Sequence, residues 1–213
     1  MMNNKIVLVG GGDFSKKIIR LIKKIGGYEI IGYTDILDSG DLFGVPYLGE
    51  DSCLEKVIYD YPACKSVICI GGNLRFTIKK KEIVSNLINL GFSFPKLISP
   101  NAEIDETAEI GQGVVIFDRS YIDFGVKIGD YSVINMNTTI GHDTRIGNFV
   151  TISPETITGG GSEIGNFTFI GMNTTVLPYI KINKECIIGA GSVVTKDINV
   201  HGYYVGNPAK KIK

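Results

Sequence analysis

The chain has 213 residues, with 22 Lys and Arg balanced by 22 Asp and Glu, 44% apolar residues, four Cys, two His and no Trp. That length and apolar content are enough to build a core without disulfides or a structural metal, which argues against a disordered polymer. Zero net charge argues against the basic face of a nucleic-acid binder and against electrostatic adhesion to an anionic membrane. The 27 glycines are the outlying count.

From Met1 to Lys5 the chain leads into an apolar run only Ile6 to Val9 long. This is too short for a signal-peptide core or a membrane span, so a cytoplasmic location is expected. Lys5 to Val9 reads as a buried strand entering Gly10-Gly11-Gly12-Asp13-Phe14-Ser15, and Lys16 to Ile22 as the following helix, stopped by Gly26-Gly27. A second strand, Tyr28 to Tyr33, ends near Asp35. A third, Ser66 to Ile70, enters Gly71-Gly72-Asn73 and is followed by a helix from Phe76 to Leu90, on which Lys79-Lys80-Lys81 reads as a solvated face. Strand, turn and helix in succession predict a small parallel α/β domain of Rossmann-like type over residues 1–97. The first turn fits GxG, but Ser15 stands where a dinucleotide fingerprint has its last glycine, while Asp35 lies near the spacing of a ribose partner. A nicotinamide cofactor therefore stays open on these residues. For any nucleotide, amides at a helix N-terminus beside a close glycine backbone can receive a phosphate. Cys53, Cys64, Cys69 and Cys186 form no CxxC pair and have no nearby His, so they read as reduced, buried thiols and no metal is expected.

From Ile98 to Val200 every sixth residue is Ile or Val, with Thr158 the single exception. The residue two before is mostly small or β-branched, as at Ala102, Ser120, Thr138, Thr156 and Ser192. Period two within period six predicts short strands whose alternate residues face one way, and a helix of period 3.6 cannot produce it. Gly follows the member of this six-residue series at 111, 129, 141, 147, 159, 165, 171 and 189. These glycines are expected to supply left-handed angles at a corner after each strand. The pattern is that of a hexapeptide β-solenoid over residues 98–213, with three hexads per coil, about six coils and a length of about 30 Å at roughly 4.8 Å per coil.

Ile140-Gly141-His142-Asp143, Ile146-Gly147-Asn148, Ile152-Ser153-Pro154, the run from Ile188 to Asp197 and the ending Val205-Gly206-Asn207-Pro208-Ala209-Lys210 resemble the left-handed β-helix sugar acyltransferases. Within these, the resemblance is to enzymes that N-acetylate bacterial nucleotide-linked amino sugars or O-acetylate sialic acid. It implies a left-handed all-β parallel β-helix, acetyl-CoA as cosubstrate, a homotrimer with each cleft between two prisms, and a role in surface-glycan biosynthesis. It further implies that the first domain holds the nucleotide of the sugar donor through Gly12, Asp13, Phe14, Asp35 and Gly71. By residue matching, Asn135 is an active-site residue, although corner geometry explains an Asn there equally well, and acetyl-CoA runs past Thr151, Gly171, Met172, Gly189 and Ala190; Lys196, Lys210 and Lys211 either meet the CoA phosphates or are solvated tail charges. Some relatives carry His where this chain has Thr151.

With Thr138 and Ile140 facing inward, His142 stands just past a corner with its ring outward, and a neutral imidazole suits general-base chemistry near neutral pH. The resemblance makes His142 the base that takes the proton of a sugar amine attacking the thioester. Asp143 would hold its tautomer or raise its basicity, or else be a solvated turn carboxylate. The oxyanion donor is not identifiable from sequence. A sugar hydroxyl as acceptor, or a non-catalytic nucleotide-binding scaffold, are the alternatives. A zinc carbonic anhydrase on this fold needs three His, and the chain has His142 and His201 alone.

Overall fold

The computed structural model describes residues 4–71 and 74–213. They divide into two compact units, one comprising the chain up to residue 71 together with Ile78–Pro95, the other residues 74–77 together with Lys96–Lys213.

The first unit contains, in chain order, β1 (Asn4–Val9), α1 (Asp13–Ile25), β2 (Tyr28–Thr34), β3 (Tyr47–Gly49), α2 (Leu54–Asp60), β4 (Lys65–Ile68) and, from Ile78 onward, α3 (Leu74–Asn89). The strands are all parallel, in the order β3-β2-β1-β4. Central β1 buries Ile6, Val7 and Leu8 completely, as a strand covered on both faces must. Helix α1 turns Ile18, Ile19, Leu21 and Ile22 inward and its lysines outward, and the Gly26 N–H closes it on the Ile22 carbonyl at 2.9 Å. Strand β3 and helix α2 are additions to the sequence-based expectation; at three and seven residues they are too short to display a period. Connections leave β1 toward β2 on one side and β4 lies on the other, which opens a crevice at the carboxyl ends of β1 and β4.

The second unit is a three-sided prism of very short strands. Each strand pairs in parallel with the equivalent strand of the next coil, as Val133 pairs with Thr151 and Thr139 with Ile157. One face begins with Leu97–Ile98, the next with Glu103–Ile104 and the third with Glu109–Ile110. Ile116, Ile122, Ile134, Ile140, Ile152, Ile170 and Ile188 are fully buried along the axis. The small polar residues two places earlier tie the corners together. Thr138 Oγ1 donates to the Asn135 carbonyl at 2.6 Å, Ser132 Oγ to Gly147 at 2.8 Å in the next coil, and Thr174 Oγ1 to Gly171 at 2.8 Å.

Two sequence-based expectations are corrected. From the third corner onward the left-handed residue is not the glycine after the strand but the residue two further on, Arg119, Tyr131, Asn137, Asp143, Phe149, Glu155, Phe167, Asn173, Tyr179 and Glu185 among them, with Gly at 113, 125, 161 and 191. The glycine after the strand is required by close approach. A Cβ on Gly165 would collide with the Lys184 nitrogen, and one on Gly171 would lie 2.5 Å from the Ala190 nitrogen. The six-residue register also ends before Val200, because Ile198 rather than Val200 bridges Ile182 and Val200 is 53% exposed. The last coil is thereby shortened, and Cys186 pairs with Gly202. Among the described residues, no helix is long and apolar enough to cross a membrane.

Candidate active site

His142 and Asp143 occupy the corner after the Thr139–Ile140 strand. The left-handed angle of Asp143 (φ 56°) turns its carboxylate back along the chain, so that its Oδ2 lies 3.0 Å from His142 Nδ1. Adjacent residues on an extended chain point apart; here the corner brings them together. With Nδ1–H donated to the carboxylate, Nε2 carries the lone pair and can accept a proton. The pair is open to solvent, with side chains 42% and 62% exposed.

Two further residues, not singled out in the sequence, hold the imidazole plane. Phe124, at the equivalent corner one coil earlier, stacks on it with ring centroids 5.2 Å apart and planes within 11°. On the other side lies Gly160, one coil later, where a Cβ would collide with Nε2 and come 2.6 Å from Cδ2 and Cε1. The glycine is therefore the space that the ring uses. The next residue, Gly161, donates to the His142 carbonyl at 2.7 Å. The Gly160 N–H makes no hydrogen bond among the described residues, whereas equivalent corner amides at Gln112, Asp130 and Asn148 are capped by Asp130, Asn148 and Asn166 side chains at 2.8–2.9 Å. The sequence signal for both neighbours was a stride of three hexads in either direction from His142.

Asn135 lies at the preceding edge, after the Val133–Ile134 strand, and is 8% exposed. Its Nδ2 donates to the Ile152 carbonyl at 2.9 Å, and among the described residues no hydrogen bond links it to His142. Gly171, Met172, Gly189 and Ala190 follow on that same edge in successive coils, with Met172 57% exposed and Ala190 exposed. Thr151, 9% exposed, is on the face leading to that edge. The matched residues thus fall into two groups: His142 and Asp143 on one edge, and Asn135 with the four acyl-donor positions on another, with Thr151 beside the second group. A whole face separates the two edges. Lys196, Lys210 and Lys211 are exposed.

In the first unit the glycine turn and the end of β2 meet. Asp35 accepts from the Gly11 N–H at 2.6 Å through Oδ2 and from the Ile36 N–H at 2.7 Å through Oδ1. Gly12 caps α1 without any side-chain hydrogen bond. Asp13 is exposed and pairs with Lys16 at 2.9 Å, which holds its carboxyl below the usual range. Phe14 approaches Gly71 so closely that a Cβ there would lie 3.2 Å from the Phe14 Cβ. Gly12, Asp13, Phe14, Asp35 and Gly71 therefore gather at the carboxyl ends of β1, β2 and β4; Gly72 and Asn73 lie outside the described residues. One expectation fails here. Lys79 and Lys81 are solvated, but Lys80 is 6% exposed, because a helix sends three consecutive side chains in three directions and the middle one faces inward.

Comparison with known proteins gives three family matches. The PglD N-terminal domain matches residues 5–83, the hexapeptide repeat of succinyl-transferase residues 107–142, and the bacterial transferase hexapeptide (six repeats) residues 161–196. The acetyltransferase domain of PglB from Neisseria gonorrhoeae is 30% identical, with a TM-score of 0.91, over 99% of this chain and 100% of that one. A histidine-to-asparagine variant of perosamine N-acetyltransferase from Caulobacter crescentus, in complex with CoA and GDP-perosamine, is 25% identical with a TM-score of 0.92 over 100% of this chain and 98% of that one. A Staphylococcus aureus protein named as an acetyltransferase is 51% identical over 41 residues, and the match spans only 21% of its length and 19% of this chain. The prism is accordingly a left-handed parallel β-helix preceded by a Rossmann-like domain.

Proposed function

Given that the chain belongs to the hexapeptide-repeat sugar acetyltransferases and is an acetyl-CoA-dependent acetyltransferase, we propose that its acceptor is the amino group of a nucleotide-linked deoxy-amino sugar. In this proposal residues 1–97 hold the nucleotide, residues 98–213 carry the transfer, His142 is the general base and the product serves bacterial surface-glycan synthesis. The observation that carries the chemistry is the His142–Asp143 contact of 3.0 Å, with Nε2 turned to the bare Gly160 backbone.

The amine nitrogen attacks the thioester carbonyl carbon of acetyl-CoA while Nε2 takes one of its protons, an effect worth about 10²–10⁴ in rate. The carbonyl electron pair moves onto oxygen, and the Gly160 N–H is the available donor for that oxyanion, worth about 10²–10³. Collapse re-forms the carbonyl and breaks the C–S bond, and the imidazolium returns its proton to the departing sulfur. The products are the amide and free CoA. Asp143 stabilises the imidazolium between these steps, and Phe124 offers it a π-face.

The division of the matched residues between two edges supports a site shared by two protomers. The acyl donor would run along the edge of Asn135, Gly171, Met172, Gly189 and Ala190 of one prism, past Thr151, against the His142 edge of its neighbour, as in a homotrimer. An amine acceptor is favoured over a sugar hydroxyl by the perosamine N-acetyltransferase likeness over the whole chain.

The test is thiol release from acetyl-CoA with UDP-, dTDP- and GDP-linked 3-amino and 4-amino sugars and with sialic acid. Turnover of an aminosugar nucleotide, lowered by about 10²–10⁴ in His142→Ala, is expected. Turnover of hydroxyl acceptors alone would assign O-acetylation. Thiol release with none of these acceptors would leave the proposed acceptor class without support.

A further inference from the structure

Helix α3 buries Lys80, Val84 and Leu87 at helical spacing, and it exposes Lys79, Lys81 and Glu82. An ammonium therefore occupies a position of the helix's apolar stripe, which a sequence normally fills with Leu or Ile. Its Nζ stands 6.0 Å from the centroid of the Phe14 ring, on the first turn of α1. Phe14 in turn lies against Gly71, at the end of β4. Lys80 is thus placed at the crevice where the carboxyl ends of β1 and β4 meet.

No carboxylate among the described residues forms an ion pair with Lys80. The titratable group acting on it is the fully buried Cys69 thiol at the end of β4, itself pushed up to about 12 by burial. The carboxylates of the neighbouring turns are engaged elsewhere, Asp13 with Lys16 and Asp35 with the N–H groups of Gly11 and Ile36. Burial pushes the Lys80 ammonium down to about 8, against the smaller opposing effect of Cys69. A buried charge without a partner is costly to hold. Beside it, the uncapped N-terminus of α1 presents amides that favour a negative charge.

We propose that Lys80 is the cationic contact for the diphosphate of the sugar donor, kept without a counter-charge inside the first unit until that anion binds. The inference rests on reading this unit as the donor-binding unit. A singly charged ester is the weaker fit, because the ammonium and the α1 amides approach the crevice from two helices and suit two adjacent phosphates. Binding of the anion draws the Lys80 proton back, so donor binding takes up protons near pH 8.

Isothermal titration of UDP, dTDP, GDP, the matching nucleosides and inorganic pyrophosphate tests this on the full chain at pH 8, in two buffers of different ionisation heat. For wild type we expect net proton uptake on nucleoside diphosphate binding, since burial holds the free amine well below its ordinary range and the anion restores it. Lys80→Met should weaken nucleoside diphosphate binding at least tenfold, abolish the proton uptake and leave nucleoside binding unchanged. The unliganded variant should also melt at a higher temperature, because an apolar chain replaces a buried charge; a merely structural lysine predicts the opposite sign. Nucleoside diphosphate binding without proton uptake in wild type, or binding by Lys80→Met within twofold of wild type, overturns the proposal. Should no nucleoside diphosphate bind wild type, the donor-binding reading of the unit fails. Pyrophosphate then decides Lys80 separately: binding lost in Lys80→Met keeps it as an anion contact, and no pyrophosphate binding removes it.

Discussion

At the scale of single residues, the imidazole is positioned by what its neighbours lack as much as by what they offer. Asp143 supplies a hydrogen bond, Phe124 a flat face, and Gly160 an absence of side chain. Replacing His142 by Ala is expected to lower kcat by about 10²–10⁴ with folding unaffected, since the ring is at the surface. In Gly160→Ala the new methyl would occupy the ring's own space, and a displacement of about 1 Å at a reacting atom costs about 10² in kcat. The expected result is a variant with an unchanged melting temperature and a hundredfold lower kcat; wild-type kcat would remove the packing argument. Phe124→Ala should lose up to about tenfold in kcat, the worth of one aromatic pair, with Phe124→Tyr restoring it. Circular dichroism alongside the kinetics separates these effects from misfolding.

At the scale of the element, each strand is too short to be stable alone, and pairing with its equivalents in the coils above and below makes it one rung of a ladder. The hydroxyls lining the axis show how the rungs are tied. Thr138 Oγ1 donates to the Asn135 carbonyl at 2.6 Å, whereas the Thr158 hydroxyl, at the one break in the Ile and Val series, is buried with no partner among the described residues. Opposite outcomes follow for the same substitution. Thr158→Val should stabilise the protein by about 1 kcal/mol, and Thr138→Val should destabilise it by about as much, because one removes an unsatisfied group and the other removes a made hydrogen bond, the Asn135 carbonyl keeping the Ser120 hydroxyl at 2.9 Å. Thermal or urea unfolding measures both; equal shifts of one sign would contradict the account. The period of six was legible in the sequence because inward β-branched residues recur at that spacing. The shortening before Ile198 was not, because Val200 also satisfies the period and only the pairing with Ile182 tells them apart.

At the scale of the whole molecule, His142 and the acyl-donor positions lie on different edges of one prism, so the proposed site needs a second copy. Co-expression of His142→Ala with Ala190→Trp tests this. If each site draws its base from one protomer and its acyl-donor edge from the next, random mixing in closed trimers restores about a quarter of wild-type activity. Two separately inactive variants that stay inactive when mixed would confine the site to one chain. Purified wild type should run as a trimer in light scattering.

Read without any fold, the sequence already determined the solenoid, the parallel α/β unit before it, and the candidate base. Each depends on residues near one another in the chain: β-branched residues at a stride of six, strands ending in glycine turns, and a histidine two places after Ile140 beside an acid. Tertiary structure decided the rest. It set aside the glycines directly after the strands as sources of left-handed angles and made them points of contact between coils. It turned Asp143 onto His142, brought Phe124 and Gly160 to either side of the ring from the coils before and after, and drew Lys80 out of a run of three lysines into the interior. The reason is physical. Periodicity reports which way a side chain points from its own backbone, but its partners are set by which coil or helix is stacked against it, and that stacking exists only once the chain has folded.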